Sequence, residues 1–220
     1  MKRSLWLSLA ACLLTGSAQA RLIHESPSEF RLEGHINAGQ AIEVRGVVGN
    51  VIAAVSATDS VQVFATGDLR DVTIQVKDHD GGTTVSVAPH GGGEVPVNFK
   101  VLVPAGVKFV GRTNQGRIQA RLPRSSVEAH TVDGDIEIHA TGSTRASTVN
   151  GSITAIITGA SYTDLHTING SVTVTVPRTA FLQLDAHAVH GTVTLPAKLA
   201  RNGPRLKLGT THGDIRVFAR

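Results

Sequence analysis

HTINGSVTVTVP, residues 166–177, reads alone as a β-hairpin: a short strand, Asn169-Gly170 as a tight turn, and a second strand with alternating apolar residues. The phrase recurs, however. Aligned on glycine, the copies are RTNQGRIQA (112–120), HTVDGDIEI (130–138), STVNGSITA (147–155), HTINGSVTV (166–174), HAVHGTVTL (187–195) and GTTHGDIRV (209–217). Their glycines are Gly116, Gly134, Gly151, Gly170, Gly191 and Gly213, spaced by 18, 17, 19, 21 and 22 residues. GVVGNVIAA (46–54) is a weaker copy that puts Gly49 in the same role.

The positions within a copy are regular. Two residues after the glycine stands Ile118, Ile136, Ile153, Val172, Val193 or Ile215, and four after is often apolar as well. That period of two marks a strand with one buried face. The residue before the glycine is Gln, Asp, Asn, Asn, His and His in turn, and Asn, Asp and His tolerate positive φ. The pair therefore reads as a left-handed turn or bulge. Upstream the alternation shifts between the residues five before and two before the glycine, which predicts a corner near His130-Thr131 and His166-Thr167. Ile168, Val172 and Val174 are expected to point inward.

Two architectures suit such repeats: serial hairpins in a sandwich or meander, or a β-solenoid with equivalent strands paired in parallel from coil to coil. A coil of two or three short strands needs roughly 17–25 residues. The observed spacings fall there, and like-on-like stacking explains why each position keeps its residue type. The expectation is an all-β fold, a β-solenoid akin to a parallel β-helix, with a less regular N-terminal β part capping one end. No convincing helical period exists outside the N-terminal leader.

Residues 1–20, MKRSLWLSLAACLLTGSAQA, have a basic start, a short apolar run and Ala18-Gln19-Ala20 as a cleavage signal. They predict a secretory signal peptide cleaved after Ala20 and export to a bacterial periplasm or cell surface. Leu9-Ala10-Ala11-Cys12 offers the alternative of a lipidated Cys12. Cys12 is the only cysteine, so the exported part has no disulfide framework. Later segments lack a run of ~18 apolar residues, so no integral helical membrane segment is expected. Without Lys2 and Arg3 the 21 basic side chains fall to 19 against 17 acidic ones, with no basic cluster interleaved with aromatics. No nucleic-acid partner is expected. The predicted layout is residues 21–110 as the N-terminal part and cap, and 111–220 as the repeats, forming one continuous domain.

FKVLVPAGVKFVGRTNQGRIQA (99–120), followed by TVDGDIEI, TVNGSITA and TINGSVTV, resembles the "putative adhesin" domains of exported bacterial proteins. In those domains a strand ending in Val-Pro precedes serial T-x-N-G-x-I repeats. The resemblance covers most of residues 30–218 and implies a solenoid-like fold, with no catalytic residues to carry over. His190 and His212 depart from it by replacing the Asn or Asp before the glycine.

Candidate chemistry is sparse. His130, His166 and His187 share the position four before the glycine, and His190 and His212 share another, so stacked imidazoles could in principle hold a transition metal. No HExxH motif or compact ligand spacing supports this, and exposed corner residues are the simpler reading. Asp133 and Asp135 lack the regular recurrence of nonapeptide calcium coils. A polysaccharide-acting β-helix enzyme would draw on Asp133, Asp135, Glu137 and Asp214. Yet Asp135 and Asp214 belong to repeats far apart, and Ser125, Ser126 and Ser143 have no nucleophile motif. The expectation is a non-catalytic envelope module without cofactor or metal, adhesin-like. Its partner would be an envelope polymer, a surface carbohydrate or a protein. An envelope-stress accessory role is an alternative. The six glycines are assigned structural turn roles. The repeats show no charged or aromatic cluster on one face, which places any binding face in the front part or the loops.

Overall fold

A computed structural model describes residues 19–91, 93–159, 161–179, 181–196 and 200–220. The predicted leader lies outside the described residues except for Gln19 and Ala20, which begin the first strand and pair with His35 and Gly34. In chain order the strands are β1 (Gln19–Glu25), β2 (Glu29–His35), β3 (Ala41–Arg45), β4 (Val51–Val55), β5 (Ser60–Gly67), β6 (Val72–His79), β7 (Gly82–Pro89), β8 (Val97–Val103), β9 (Lys108–Arg112) and β10 (Ile118–Leu122). There follow β11 (Val127–His130), β12 (Ile136–Ala140), β13 (Thr144–Asn150), β14 (Ile153–Ile157), β15 (Thr163–Asn169), β16 (Val172–Val176), β17 (Phe181–His190), β18 (Val193–Thr194), β19 (Ala200–His212) and β20 (Ile215–Ala219). A 3-10 turn at Leu69–Asp71 is the only helical element among the described residues.

Two sheets result. Sheet one is ordered β1-β2-β5-β8-β4-β10-β12-β14-β16-β20-β18, and sheet two β17-β19-β15-β13-β11-β9-β3-β7-β6. Each repeat supplies a strand to sheet two before its glycine and a strand to sheet one after it. Strands from neighbouring repeats pair in parallel with equivalent residues in register, for example Ile118 with Ile136 and Ile136 with Ile153. The fold is therefore all-β, with repeats layered rather than folded as separate hairpins. Antiparallel strands extend the first end: β5, β2 and β1 beyond β8, and β6 beyond β7.

The layers do not follow chain order at either end. Strands β7 and β8 lie outside β3 and β4, and the chain then returns so that β9 and β10 pair on the opposite side of that layer. At the far end β19 and β20 lie between β15/β16 and β17/β18. The repeat of Gly213 thus stands inside the repeat of Gly191, an inversion that repeat spacing alone cannot reveal.

The core lies between the sheets. Ile118, Ile136, Ile153, Val172 and Ile215 form one buried column, and Val127, Thr144, Thr163 and Leu206 face inward from sheet two. Small and large residues interlock: a side chain on Gly111 would press on the Phe109 ring and on Ile118 Cγ2.

The corner differs from the expected one. Strand β15 runs through His166-Thr167 to Asn169, so the bend comes at the glycine itself. Alternation persists as far as the threonine three before the glycine. Thr113, Thr131, Thr148, Thr167 and Thr210 are all buried, whereas Ile168 is exposed, contrary to the inward assignment. Val172 and Val174 are buried as expected. Positive φ is confined to glycine among the described residues, so the Asn, Asp or His before it is not left-handed.

Each of these threonines donates through Oγ1 to the glycine carbonyl of the adjacent layer: Thr131 to Gly116 (3.3 Å), Thr148 to Gly134 (3.0 Å), Thr167 to Gly151 (2.8 Å) and Thr210 to Gly170 (2.8 Å). The same carbonyl stands against the α-carbon of the next glycine. A Cβ on Gly151 would overlap the Gly134 carbonyl far inside van der Waals contact, and Gly116, Gly134, Gly170, Gly213 and Gly191 meet the same obstacle in stack order. Gly49 belongs to this column, since its carbonyl faces Gly116.

Gly151→Ala should therefore destabilise by more than ~1 kcal/mol, while Gly91→Ala, with open space around it, should stay within ~0.5 kcal/mol of wild type in denaturant unfolding. Thr148→Val keeps the shape but leaves the Gly134 carbonyl without its donor, and should cost about 1–3 kcal/mol in the same measurement.

Candidate interaction face

Parallel in-register pairing turns the outward residues of sheet two into columns. Six before the glycine, Glu128, Arg145, Asp164, Lys207 and Asp185 lie side by side on β11, β13, β15, β19 and β17. Their signs alternate, so each carboxylate has a cation as lateral neighbour.

Towards the first end the charges close into a network. Glu43 lies 2.9 Å from Arg45 and 2.9 Å from Arg112. Glu128 receives Arg112 at 2.7 Å, Lys108 at 2.8 Å and His130 Nε2 at 3.0 Å, and His130 Nδ1 lies 2.6 Å from Ser147 Oγ. The two carboxylates are recessed, each 16% exposed, while Arg112, Lys108 and Arg45 are 42–57% exposed. The outermost charges of this network are therefore cationic. Burial opposes ionisation of Glu128, but hydrogen bonds from Lys108 and His130 and their charges outweigh it, taking its pKa down from 4.5 to about 2. Burial raises and the two arginines lower the pKa of Glu43, with a net fall.

This cluster is what the sequence reading missed. Directly bonded members such as Glu43 and Arg112 are 69 residues apart, and the cluster converges because β3 and β11 flank β9. A signal existed: Glu43 and Arg45 stand six and four before Gly49, as Glu128 and His130 stand before Gly134.

The candidate carboxylates are placed elsewhere and occupied. Glu137 accepts from Arg117, Gln119 and Arg121 at 3.0–3.1 Å on sheet one. At the corner Asp133 accepts from the Asn150 amide at 2.6 Å, and Asp135 from the Ser152 backbone N–H at 2.8 Å. Asp214 accepts from the Thr192 backbone N–H at 3.0 Å, which with the Thr192 hydroxyl and Arg216 holds its pKa below 3.8. These side chains link one layer to the next. Asp135 and Asp214 lie about 14 Å apart by the usual spacing between strands, three layers away from each other. Ser125 is buried, and the His130 ring bonds Ser147 rather than Ser125, Ser126 or Ser143.

The histidine column is interrupted. Ser147 separates His130 from His166, and Gly209 separates His166 from His187. His166 Nε2 lies 2.6 Å from Asp164. His190 and His212 stack with centroids 4.9 Å apart. Among the described residues no group of three or more His, Cys, Asp or Glu side chains could hold a metal ion. An open recess of about 260 Å³ between β1, β2 and β5 is lined by Ile23, His24, Glu29, Phe30, Arg31 and Phe64, away from the charged face.

No family model matches the sequence, and neither does any curated protein. Among solved structures, one from Clostridium sporogenes, a "putative cell adhesion protein", aligns over 93% of this chain and 99% of its own, with a TM-score of 0.51 and 9% identity. A "putative adhesin" from Bacteroides fragilis aligns over 87% and 98%, with a TM-score of 0.48 and 14% identity. The Clostridium likeness is one of fold.

Because its folded pKa is depressed, Glu128 contributes stability at neutral pH that fades as pH falls from about 4.5 towards 2. Glu128→Gln should flatten that acid limb in melting temperatures taken from pH 7 to pH 2. A variant whose acid limb matches wild type overturns the assigned role of Glu128.

Proposed function

We propose that this chain is an exported, non-catalytic envelope or surface protein with an adhesin-like role, and that sheet two is its contact face for anionic envelope polymers. In this reading the two sheets are the walls of a β-solenoid, one continuous domain over residues 21–220, and the six turn glycines serve shape rather than chemistry. Residues 1–20 act as the leader, and removal after Ala20 leaves Arg21–Glu25 to pair with β2.

One observation carries the choice of face and ligand. Lys108, Arg112 and Arg45 project beyond the recessed Glu43 and Glu128, with the exposed Arg145 alongside. A flat sheet with regularly spaced cationic tips suits an extended polymer carrying phosphate or carboxylate groups. The carboxylates beneath fix the guanidinium and ammonium groups and leave part of their donor capacity outward. The fold shared with the Clostridium protein is consistent with a scaffold of this kind. Among the described residues no helix is long and apolar enough to cross a membrane.

Co-sedimentation with lipopolysaccharide or acidic peptidoglycan fragments, against a neutral glucan, tests the proposal. Binding to the anionic polymers is expected to fall at least ~5-fold between 50 and 500 mM salt and in Lys108→Gln/Arg145→Gln. Retention by the neutral glucan alone, or binding indifferent to both salt and substitution, overturns it.

A further inference from the structure

The two ends of the stack are finished differently. At the first end Phe30, Leu32, Val61 and Val63 of β2 and β5 are buried; the edge strands β1 and β6 leave Leu22, Ile23, Ile74 and Val76 at least partly exposed, but β6 also carries Lys77, Asp78 and His79. Charged edge strands discourage pairing with other chains. At the far end β17 is a ten-residue strand whose only ladder partner among the described residues is β19, and β18 pairs there only with β20. The inward residues Leu184, Ala186 and Ala188 remain half-exposed there, and Val193 and Leu195 are exposed at 40% and 46%. Among the described residues the core is therefore partly open to solvent along Leu184–Ala188, while Leu182 is buried.

We infer that this open end is the contact surface of a symmetric dimer, in which β17 pairs antiparallel with β17 of a second copy about a twofold axis through Ala186. The residue pattern is self-complementary in that register. Asp185 faces His187 of the second copy on the outer side, twice by symmetry. On the inner side Leu184 faces Ala188, large against small, and Ala186 faces itself. Asp185 keeps its bond to Arg205 of its own chain, 2.7 Å, and offers its other oxygen to the imidazole.

The axis runs perpendicular to the sheets, so sheet two continues into sheet two, β18 meets β18, and the two cores join. A head-to-tail stack would instead bring this apolar end onto the charged β6 edge and would not close. Ten residues span ~33 Å, and two sheets ~10 Å apart with their side chains make an end of about 600 Å² per copy, or ~1,200 Å² in total, the lower bound of stable interfaces. The surface is separate from the cationic patch around Lys108, so the dimer stands or falls independently of polymer binding.

Sedimentation equilibrium of the purified chain from ~1 to ~200 µM should show a reversible monomer–dimer exchange. Ala186→Lys should abolish the dimer while leaving the circular dichroism spectrum unchanged. In a Cys12→Ser background, Ala186→Cys should form a covalent dimer under mild oxidation, because directly opposed antiparallel residues come within disulfide reach. Lys77→Cys on β6 should not. A chain that stays monomeric over this range overturns the inference, whatever other strand its edge then takes up. So does a dimer that fails to crosslink through residue 186 or that crosslinks equally through residue 77.

Discussion

The structure depends on how closely one glycine carbonyl approaches the next glycine. At each corner the backbone of one layer lies against that of its neighbour, and a single β-carbon would force them apart. That contact sets the layer spacing where the chain turns from sheet two to sheet one. It also turns a carbonyl away from the regular ladder, and a buried carbonyl without a donor is costly. The threonine three residues before the glycine removes that cost by donating from the adjacent layer. Glycine and threonine are thus two halves of one device. Its absence shows at the open end, where Ala188 replaces the threonine before Gly191.

The repeats, the all-β class and, except for the exposed Val193 and Leu195 of the outermost repeat, the buried residues two and four after the glycine were legible because they depend only on period and spacing. The corner was not. Thr167 and Ile168 are both β-branched, and pattern alone favoured Ile168 as the inward one. The structure buries Thr167, because the hydroxyl has a partner inside, and leaves Ile168 in solvent. The left-handed assignment for Asn169 failed for a related reason. The steric demand falls on the glycine, whereas Asn169 is wanted for its side chain, whose amide donates to Asn150 Oδ1 at 2.8 Å. The charged face escaped notice because its residues belong to different repeats and meet only through lateral pairing. Glu43 and Glu128 are brought together by β9 rather than by anything local to either.

Recessed carboxylates below projecting cations make the face something other than a set of surface ion pairs. Exposed pairs contribute little to stability. Here, however, Glu43 and Glu128 each bind two or more cations and are largely shielded from water, so the network fixes side chains that would otherwise be mobile. The alternating column from Glu128 to Asp185 adds register: sliding a layer by one residue would carry a charged side chain towards the core and bring apolar ones out. Outer charge pattern and inner apolar pattern therefore specify the same alignment, while the corner glycines set the spacing.

The inverted order of layers at both ends follows the same logic. Here the chain passes one layer out and comes back, at β7/β8 near the first end and at β17/β18 at the other. Each of these layers is held covalently on both sides. The last residues, β20, are paired with β16 and β18 instead of standing at the edge. The consequence lies in assembly. Strands β17 and β18 pair with β19 and β20, so the outer layer takes its place only when residues 200–220 insert between it and β15/β16, closing long-range contacts that earlier layers cannot supply. Since non-local pairing is the slow part of β-sheet folding, this insertion is where the stack is expected to complete itself.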